Sequence, residues 1–379
     1  MGNQIDEVEF MKLIYITSYT FPSKRAEPYY IKSMAEAFTA RLDTNFSLMI
    51  RGNITNELQN IHVVSVQMPE RLRTLSYFFW FPFFVYRQKL STRETVFMSH
   101  DPYLLAIFVF WRKVLCYKYR ICSDWHQLFD DWKDAFIAQN SDYLITTCKR
   151  LKTLLSSVCN IAPEKIMVAY GGIDLNVFHE VKQKAMSVLR AELKLPNDAF
   201  LVGYIGGFRS VGLEKGLTTM IHALPHLDTH MQMVFVGGTV QQIDAYKVLA
   251  HALHVEDRCI FVTKQTFDKV TAYERSMDVL TIPYPDKHHF RDYGFPMKIW
   301  EYMASGRPIV YSNLEIIGEI LEGRATPFIP DDAVSLAHTL TTLFHEREVA
   351  EKVGMKNIDA LHAYTWDARV KHIVDFINT

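Results

Sequence analysis

The sequence predicts an α/β chain built from two doubly wound parallel-sheet domains. Three observations predict it. Short apolar runs alternate with helical segments along the whole chain. The runs are continuously apolar, as in "KLIYITSY" (12–19) and "MVFVGG" (233–238), which marks strands covered on both faces. The chain has 379 residues, a length for two ordinary domains, and 49 % of them are apolar, enough to fill two cores.

In the first half, the expected strands are 12–19, 46–50, 61–66, 94–100, 119–125, 142–147 and 165–172. Helices are expected over 26–42, 73–90, 102–114 and 148–158. In the second half, strands are expected at 201–206, 233–238, 259–263, 278–284 and 307–312. The helices between them fall near 216–226, 241–253, 267–276, 296–305 and 314–322. The join follows Gly171–Asp174, and the polar, helical stretch 175–195 reads as a linker. The expected domains are therefore 1–180 and 181–379, with an amphipathic last helix (365–378) able to pack on either half. In such folds ligands sit outside the carboxyl ends of the strands, so a cleft between the halves is the expected site.

The totals exclude some classes. Net charge is −1, so no basic excess points to nucleic acid. The five cysteines (Cys116, Cys122, Cys148, Cys159, Cys259) form no C-x-x-C pair, which fits reduced thiols in a cytoplasm. The start, "MGNQIDEVEF", has neither the basic nor the apolar part of a signal peptide, and Asp6 breaks the myristoylation pattern. The first ordered element is expected near Met11, itself a candidate initiator. The runs "LSYFFWFPFFVY" (75–86) and "YLLAIFVFW" (103–111) are shorter than the roughly 20 residues that span a bilayer. They read as core helices. With Arg71, Arg73, Arg87 and Lys89 around it, 75–86 is also a candidate for peripheral contact with a membrane surface.

Two stretches carry chemistry. In "GYIGGFRSVGLEKGL" (203–217), an apolar strand runs into Gly206–Gly207, then Arg209, then Lys215 at a helix start. Glycines let backbone N–H groups approach an anion, the helix start adds positive potential, and two cations add full charges. That suits a phosphate or diphosphate. It is neither G-x-G-x-x-G nor a Walker loop, so nicotinamide and ATPase readings lack their fingerprints. The alternative is a glycine turn with two solvated cations. In "PMKIWEYMASGRPIV" (296–310), Pro296 suits a first helical turn, Gly306 ends the helix and Pro308 prevents its continuation. Lys298 and Glu301 share a face. They either pair at the surface, or Glu301 accepts hydrogen bonds from ligand hydroxyls, as a ribose diol would offer.

Several of these stretches resemble the retaining GT-B glycosyltransferases of family 4, whose two domains are Rossmann-like. The matching pieces are "VGYIGGF…EKGL", "MVFVGGT", "MDVLTIPY" and "PMKIWEYMASGRPIVYSNLEIIGEIL" in the second half. "FPSKRAEPYYIKSMAEAF" and "DYLITTCKRLK…KIMVAYGGIDLNVF" match in the first, so the likeness runs over about 12–365. The EYMASG helix and the GGID–Phe178 stretch are its most specific parts. The resemblance implies transfer, with retention, of a sugar from a UDP- or GDP-linked donor to a glycan or lipid-linked acceptor in polysaccharide or glycolipid assembly. The nucleotide sugar is a co-substrate, and no metal or other cofactor is implied. The expected location is the cytoplasm, at the inner face of the membrane.

The family implies roles for particular residues. Arg209 and Lys215 match the cations that hold the donor diphosphate. Glu301 matches the second of the family's paired glutamates, which binds the donor ribose. The first glutamate falls eight residues earlier, where this chain has Tyr293. Asp292 and Lys298 are the candidate substitutes, and Asp292–Gly294 join Gly206, Gly207, Lys298 and Glu301 as donor-binding candidates. His126, after "RICSDW", matches a histidine at the end of a first-domain strand. Together with Arg209 and Lys215 it makes the catalytic set. His100, in "MSHDP", is its rival and an acceptor-side candidate. Lys24 and Arg25, where the family often has glycines, are acceptor-side or phosphate-side candidates. Asp130, Asp131 and Asp134 are expected to form a solvated acidic face rather than a metal site. Two alternatives stay open: a non-catalytic nucleotide-sugar-binding subunit, motivated by Tyr293, and a same-fold nucleotide-sugar epimerase.

Overall fold

A computed structural model describes residues 11–21, 26–67, 69–175 and 184–379. The chain divides into two compact units, Met1–Gly171 with Trp366–Thr379, and Gly172–Thr365.

The first unit holds seven strands: β1 (Lys12–Ile16), β2 (Phe46–Arg51), β3 (Val63–Val66), β4 (Thr95–Ser99), β5 (Arg120–Trp125), β6 (Tyr143–Thr146) and β7 (Ile166–Val168). All pair in parallel, in the order β3-β2-β1-β4-β5-β6-β7. Leu13 lies opposite Phe46 on one side and Val96 on the other. Both faces of the central strands are buried, which is why Leu13, Ile14, Tyr15 and Ile16 run without polar alternation. The covering helices are α1 (Ala26–Leu42), α2 (Arg73–Arg87), α3 (Pro102–Val114), α4 (Trp132–Ala138) and α5 (Lys149–Cys159). The strand order reverses between β1 and β4, so the carboxyl ends of β1, β4 and β5 surround the switch point.

The second unit starts with α6 (Met186–Glu192) and β8 (Phe200–Ile205). A short antiparallel ribbon follows, β9 (Arg209–Ser210) with β10 (Leu213–Glu214). Then come α7 (Leu217–Ala223), β11 (Met231–Gly238), α8 (Val240–Ala252), β12 (Cys259–Thr263), α9 (Phe267–Ser276) and β13 (Val279–Ile282). The unit continues through α10 (His288–Asp292), α11 (Lys298–Ser305), β14 (Ile309–Ser312), α12 (Glu315–Leu321), β15 (Thr326–Phe328), α13 (Ala333–His345) and α14 (Arg347–Ala360). Its six-stranded sheet has the order β12-β11-β8-β13-β14-β15, all parallel, with its switch point between β8 and β13. The last helix, α15 (Trp366–Ile377), packs on α1 in the first unit.

Some expectations need correction. The helix expected at 216–226 is α-helical only to Ala223, and its last residues tighten into a 3₁₀ turn where Pro225 removes an N–H donor. The helix expected from Pro296 begins at Lys298 and closes on Gly306 at φ +71°, as its stop signals required. Asp134 is buried rather than solvated, because its carboxylate accepts the N–H groups of Phe129 (3.0 Å) and Asp130 (2.8 Å). Asp131 caps α4 through the N–H of Lys133 at 2.9 Å.

Candidate functional site

In the second unit the site grows from the ends of β8 and β13. Gly206, directly after β8, has φ +145°, and a Cβ there would stand 2.2 Å from Nζ of Lys298. Gly216 has φ +87°, and a Cβ there would stand 1.6 Å from the carbonyl oxygen of Pro283, just after β13. Both positions exclude a side chain, so the loop 206–216 lies against its neighbours through bare backbone.

Lys298 is buried. Its ammonium donates to the Ile205 carbonyl at 2.8 Å and lies 4.0 Å from the centre of the Tyr204 ring. The Tyr302 hydroxyl accepts from the Ile205 N–H at 2.9 Å, which fixes the same strand end. Burial, and then the charge of Lys215, push the Lys298 pKa down to about 7, with Glu301 and Glu274 opposing. Burial likewise pushes Lys215 down to about 8, against Glu301. Its ammonium stands 5.6 Å from the centre of the Tyr284 ring. Glu301 is half-buried, and no hydrogen bond to its carboxylate forms among the described residues. Burial pushes its pKa up, while Lys298 and Lys215 pull it back. The surface pair between Lys298 and Glu301 is thus replaced by a buried ammonium bound to backbone and an open carboxylate beside it. Two cations and one free carboxylate at a strand-end loop can hold a phosphate group and a pair of hydroxyls together.

Other candidates are engaged elsewhere. The Arg209 side chain folds back within its own ribbon, Nε donating to the Gly212 carbonyl at 3.1 Å. Asp292 is buried and takes up His288 Nδ1 at 2.8 Å and the Arg291 guanidinium at 3.3 Å. Tyr293 is buried with its ring edge-on to His288, and the Gly294 N–H donates to the His289 carbonyl at 2.6 Å. Gly207 is exposed, and its carbonyl accepts from the Tyr204 hydroxyl at 2.8 Å.

Sequence reasoning missed several neighbours. His289 stands close enough to Lys215 that, after burial, Lys215 is the next cause of its lowered pKa. Glu214 accepts the Thr218 N–H at 3.1 Å and the Tyr246 hydroxyl at 3.2 Å, tying the ribbon to α7 and α8. Glu274 on α9 is fully buried, and neither carboxylate oxygen has a hydrogen-bond partner among the described residues. Burial, and then Glu301, raise its pKa well above the ordinary carboxylate value, with Lys298 opposing. The strand-end glycines and "PMKIWEYMASG" carried a signal for the site. A glutamate within "FDKVTAYERS" carried none.

In the first unit, His100 and His126 follow β4 and β5. Their rings stack at 5.4 Å. His100 Nδ1 lies 2.8 Å from the Tyr15 hydroxyl, and the Tyr19 ring stacks on it at 5.7 Å. Burial, and then His126, push the His100 pKa down to about 4. Lys24 and Arg25 lie outside the described residues.

Residues 199–346 match the family model described as glycosyl transferases group 1. An uncharacterized glycosyltransferase of Methanocaldococcus jannaschii is 24% identical over 241 residues, covering 61% of this chain and 58% of that protein. The D-inositol 3-phosphate glycosyltransferase of Corynebacterium efficiens is 23% identical over 243 residues, covering 61% of this chain and 55% of that protein. The match thus spans a little over half the length of these curated relatives. Among solved structures, Anabaena HepE in complex with UDP superposes with a TM-score of 0.76 at 15% identity, covering 96% of this chain and 99% of that one. Sucrose-phosphate synthase from Thermosynechococcus elongatus superposes with a TM-score of 0.70 at 18% identity, covering 96% and 97%. The two parallel-sheet α/β units are those of the GT-B fold.

Proposed function

We propose that this chain is a retaining glycosyltransferase whose second unit binds a UDP- or GDP-linked sugar and whose first unit binds a glycan or lipid-linked acceptor. The observation that carries the proposal is the free Glu301 carboxylate beside the Lys215 and Lys298 ammoniums at the switch point of the second sheet. The ammoniums meet the diphosphate, and they meet its growing charge as it leaves. Differential stabilisation of that charge is what accelerates transfer. Arg209, at the start of the β9–β10 ribbon, joins them when its link to Gly212 opens. Glu301 takes the ribose hydroxyls. The family resemblance assigns His126 a hydrogen bond to the sugar or acceptor. Retention, a role in polysaccharide or glycolipid assembly and work at the inner face of the membrane rest on the family resemblance. The relatives named above support a sugar-nucleotide donor.

A membrane role draws on α2. Tyr77, Phe81 and Val85 turn inward, while Leu72, Leu75, Phe79, Phe83 and Tyr86 stand exposed, with exposed Arg71, Arg87 and Lys89 beside them. An apolar stripe rimmed by cations suits an anionic lipid surface, and a lipid-linked acceptor would be met there.

One observation favours a second reading. Asp292 is already engaged by Arg291 and His288, which argues against its standing in for the missing first glutamate. A chain without that contact would bind nucleotide sugar and turn nothing over. The discriminating experiment supplies UDP- and GDP-sugars with soluble and lipid-linked glycan acceptors and follows nucleoside-diphosphate release and the anomeric configuration of the product. Acceptor-dependent release with retained configuration supports the transferase. Nucleotide binding without release for any acceptor supports the binding subunit. Conversion of the sugar nucleotide without acceptor supports an epimerase.

A further inference from the structure

Asp124 is the penultimate residue of β5, two before His126, and its carboxylate is the hub of a buried network beside that histidine. Arg369 from α15 donates to both oxygens, at 3.1 and 3.3 Å. The Tyr30 hydroxyl from α1 donates to Oδ2 at 2.9 Å. Arg369 also donates to the Tyr170 carbonyl at 2.9 Å and bonds the Tyr30 hydroxyl, so the hub is closed on three sides. The fourth side is His126, with Nε2 3.4 Å from Asp124 Oδ2.

The His126 ring is clamped. Tyr30 meets it edge-on at 4.8 Å and His100 stacks on its face at 5.4 Å. Nε2 is buried and makes no hydrogen bond among the described residues; the Asp124 carboxylate, 3.4 Å away, is the charged group it faces. The His126 side chain is 32% exposed while Nε2 is buried, so the exposure falls on the rest of the ring, where Nδ1 lies. Asp124 stays ionised. Burial alone would raise its pKa, but Arg369 and then His126 hold it well below the ordinary carboxylate range. An ionised carboxylate accepts and never donates, so the nitrogen facing it carries the proton.

We propose that Asp124, anchored by Arg369 and Tyr30, is a positioning residue that holds His126 in the Nε2–H form and leaves the Nδ1 lone pair on the open edge. His126 then accepts a hydrogen bond from a hydroxyl of the sugar or acceptor; it does not donate one to a phosphate. The inference rests on the transferase reading for what arrives at Nδ1. The tautomer itself does not depend on it.

The test is two-bond proton–nitrogen correlation NMR on the full chain labelled with 15N-histidine, at pH 8.5, where a histidine in ordinary surroundings is neutral. His126 is assigned by its loss in His126→Gln. The expected wild-type spectrum has a protonated Nε2 and an unprotonated Nδ1, and in Asp124→Asn the two forms mix or invert. A wild type with protonated Nδ1 overturns the proposal, and so does a folded Asp124→Asn with an unchanged tautomer. Asp124→Asn leaves Arg369 buried without its charge partner and can fail to fold, so Tyr30→Phe is the second variant. Losing the competing hydroxyl should strengthen the contact to His126 and move the Nε2 proton downfield; an unmoved Nε2 signal overturns the proposal. None of these spectra needs a nucleotide, so a chain that binds no sugar nucleotide refutes the functional reading and leaves this one to its own result.

Discussion

The Lys298 ammonium lies so close to Gly206 that a single methyl group at position 206 would stand 2.2 Å from the nitrogen. The cation of α11 and the bare backbone after β8 are one construction. Gly206→Ala should displace Lys298 and strain a backbone at φ +145°, at about 1–3 kcal/mol. The expected result is a lower melting temperature together with a lost response to nucleoside diphosphate. A variant that melts and binds like the wild type would separate the glycine from the site.

The ammoniums give the site a pH dependence with a definite sign. Lys298 titrates at about 7 and Lys215 at about 8 in the free protein. Both are charged below those values and lose charge as pH rises through them. A terminal phosphate has its second ionisation near 6, so the ligand gains no charge over the same window. Nucleoside-diphosphate affinity should therefore fall between pH 7 and 9, by about tenfold for each unit above the pKa of an ammonium that must be charged. Calorimetric titration across that range checks it, and a flat profile would count against both lysines as phosphate ligands.

Glu274 should limit stability at neutral pH. Its folded-state pKa is raised above the unfolded value, so its favourable contribution is present at acid pH and is lost as pH rises. Glu274→Gln keeps the shape and removes the titration. It should raise the melting temperature at pH 8 by removing the cost of that titration, and change it little at pH 4.5. A loss of stability at pH 8 would mean that the carboxylate holds Lys298 in place instead.

Much of this architecture could be read from the chain. The continuous apolar runs and the 26–42 helix fell where expected, and the Gly–Arg–Pro stop ended α11 at Gly306. Long-range charge pairing could not be read. Asp124 and Arg369 are 245 positions apart, and nothing local to either marks the other. Glu274 sits among polar residues in a pattern that reads as a solvated helix face, so only the packed structure reveals that it is buried. The β9–β10 ribbon has strands of two residues each, too short to carry a periodicity, and it turns Arg209 back onto Gly212. α13 and α14 lie beyond the expected series, although the Asp332 cap of α13 and the charged pattern of α14 were there to be read.

The exposed stripe on α2 predicts vesicle binding. Phe79 and Phe83 are 65% and 58% exposed, one turn apart. The chain should co-float with anionic vesicles and not with neutral ones, because each nearby cation adds about 1 kcal/mol only on an anionic surface. The double substitution Phe79→Asp and Phe83→Asp should abolish co-flotation without moving the melting temperature. Equal flotation of wild type and variant would mean that α2 does not contact the membrane.

Glu301 as a ligand contact beside a diphosphate site is decided by calorimetric titration of UDP and GDP into wild type and Glu301→Ala. One nucleotide should bind the wild type, and the variant should bind it at least about tenfold more weakly, the loss of a charge-assisted contact of about 1.5–3 kcal/mol, at an unchanged melting temperature. Equal affinity in the variant, or no binding of either nucleotide to the wild type, would contradict it.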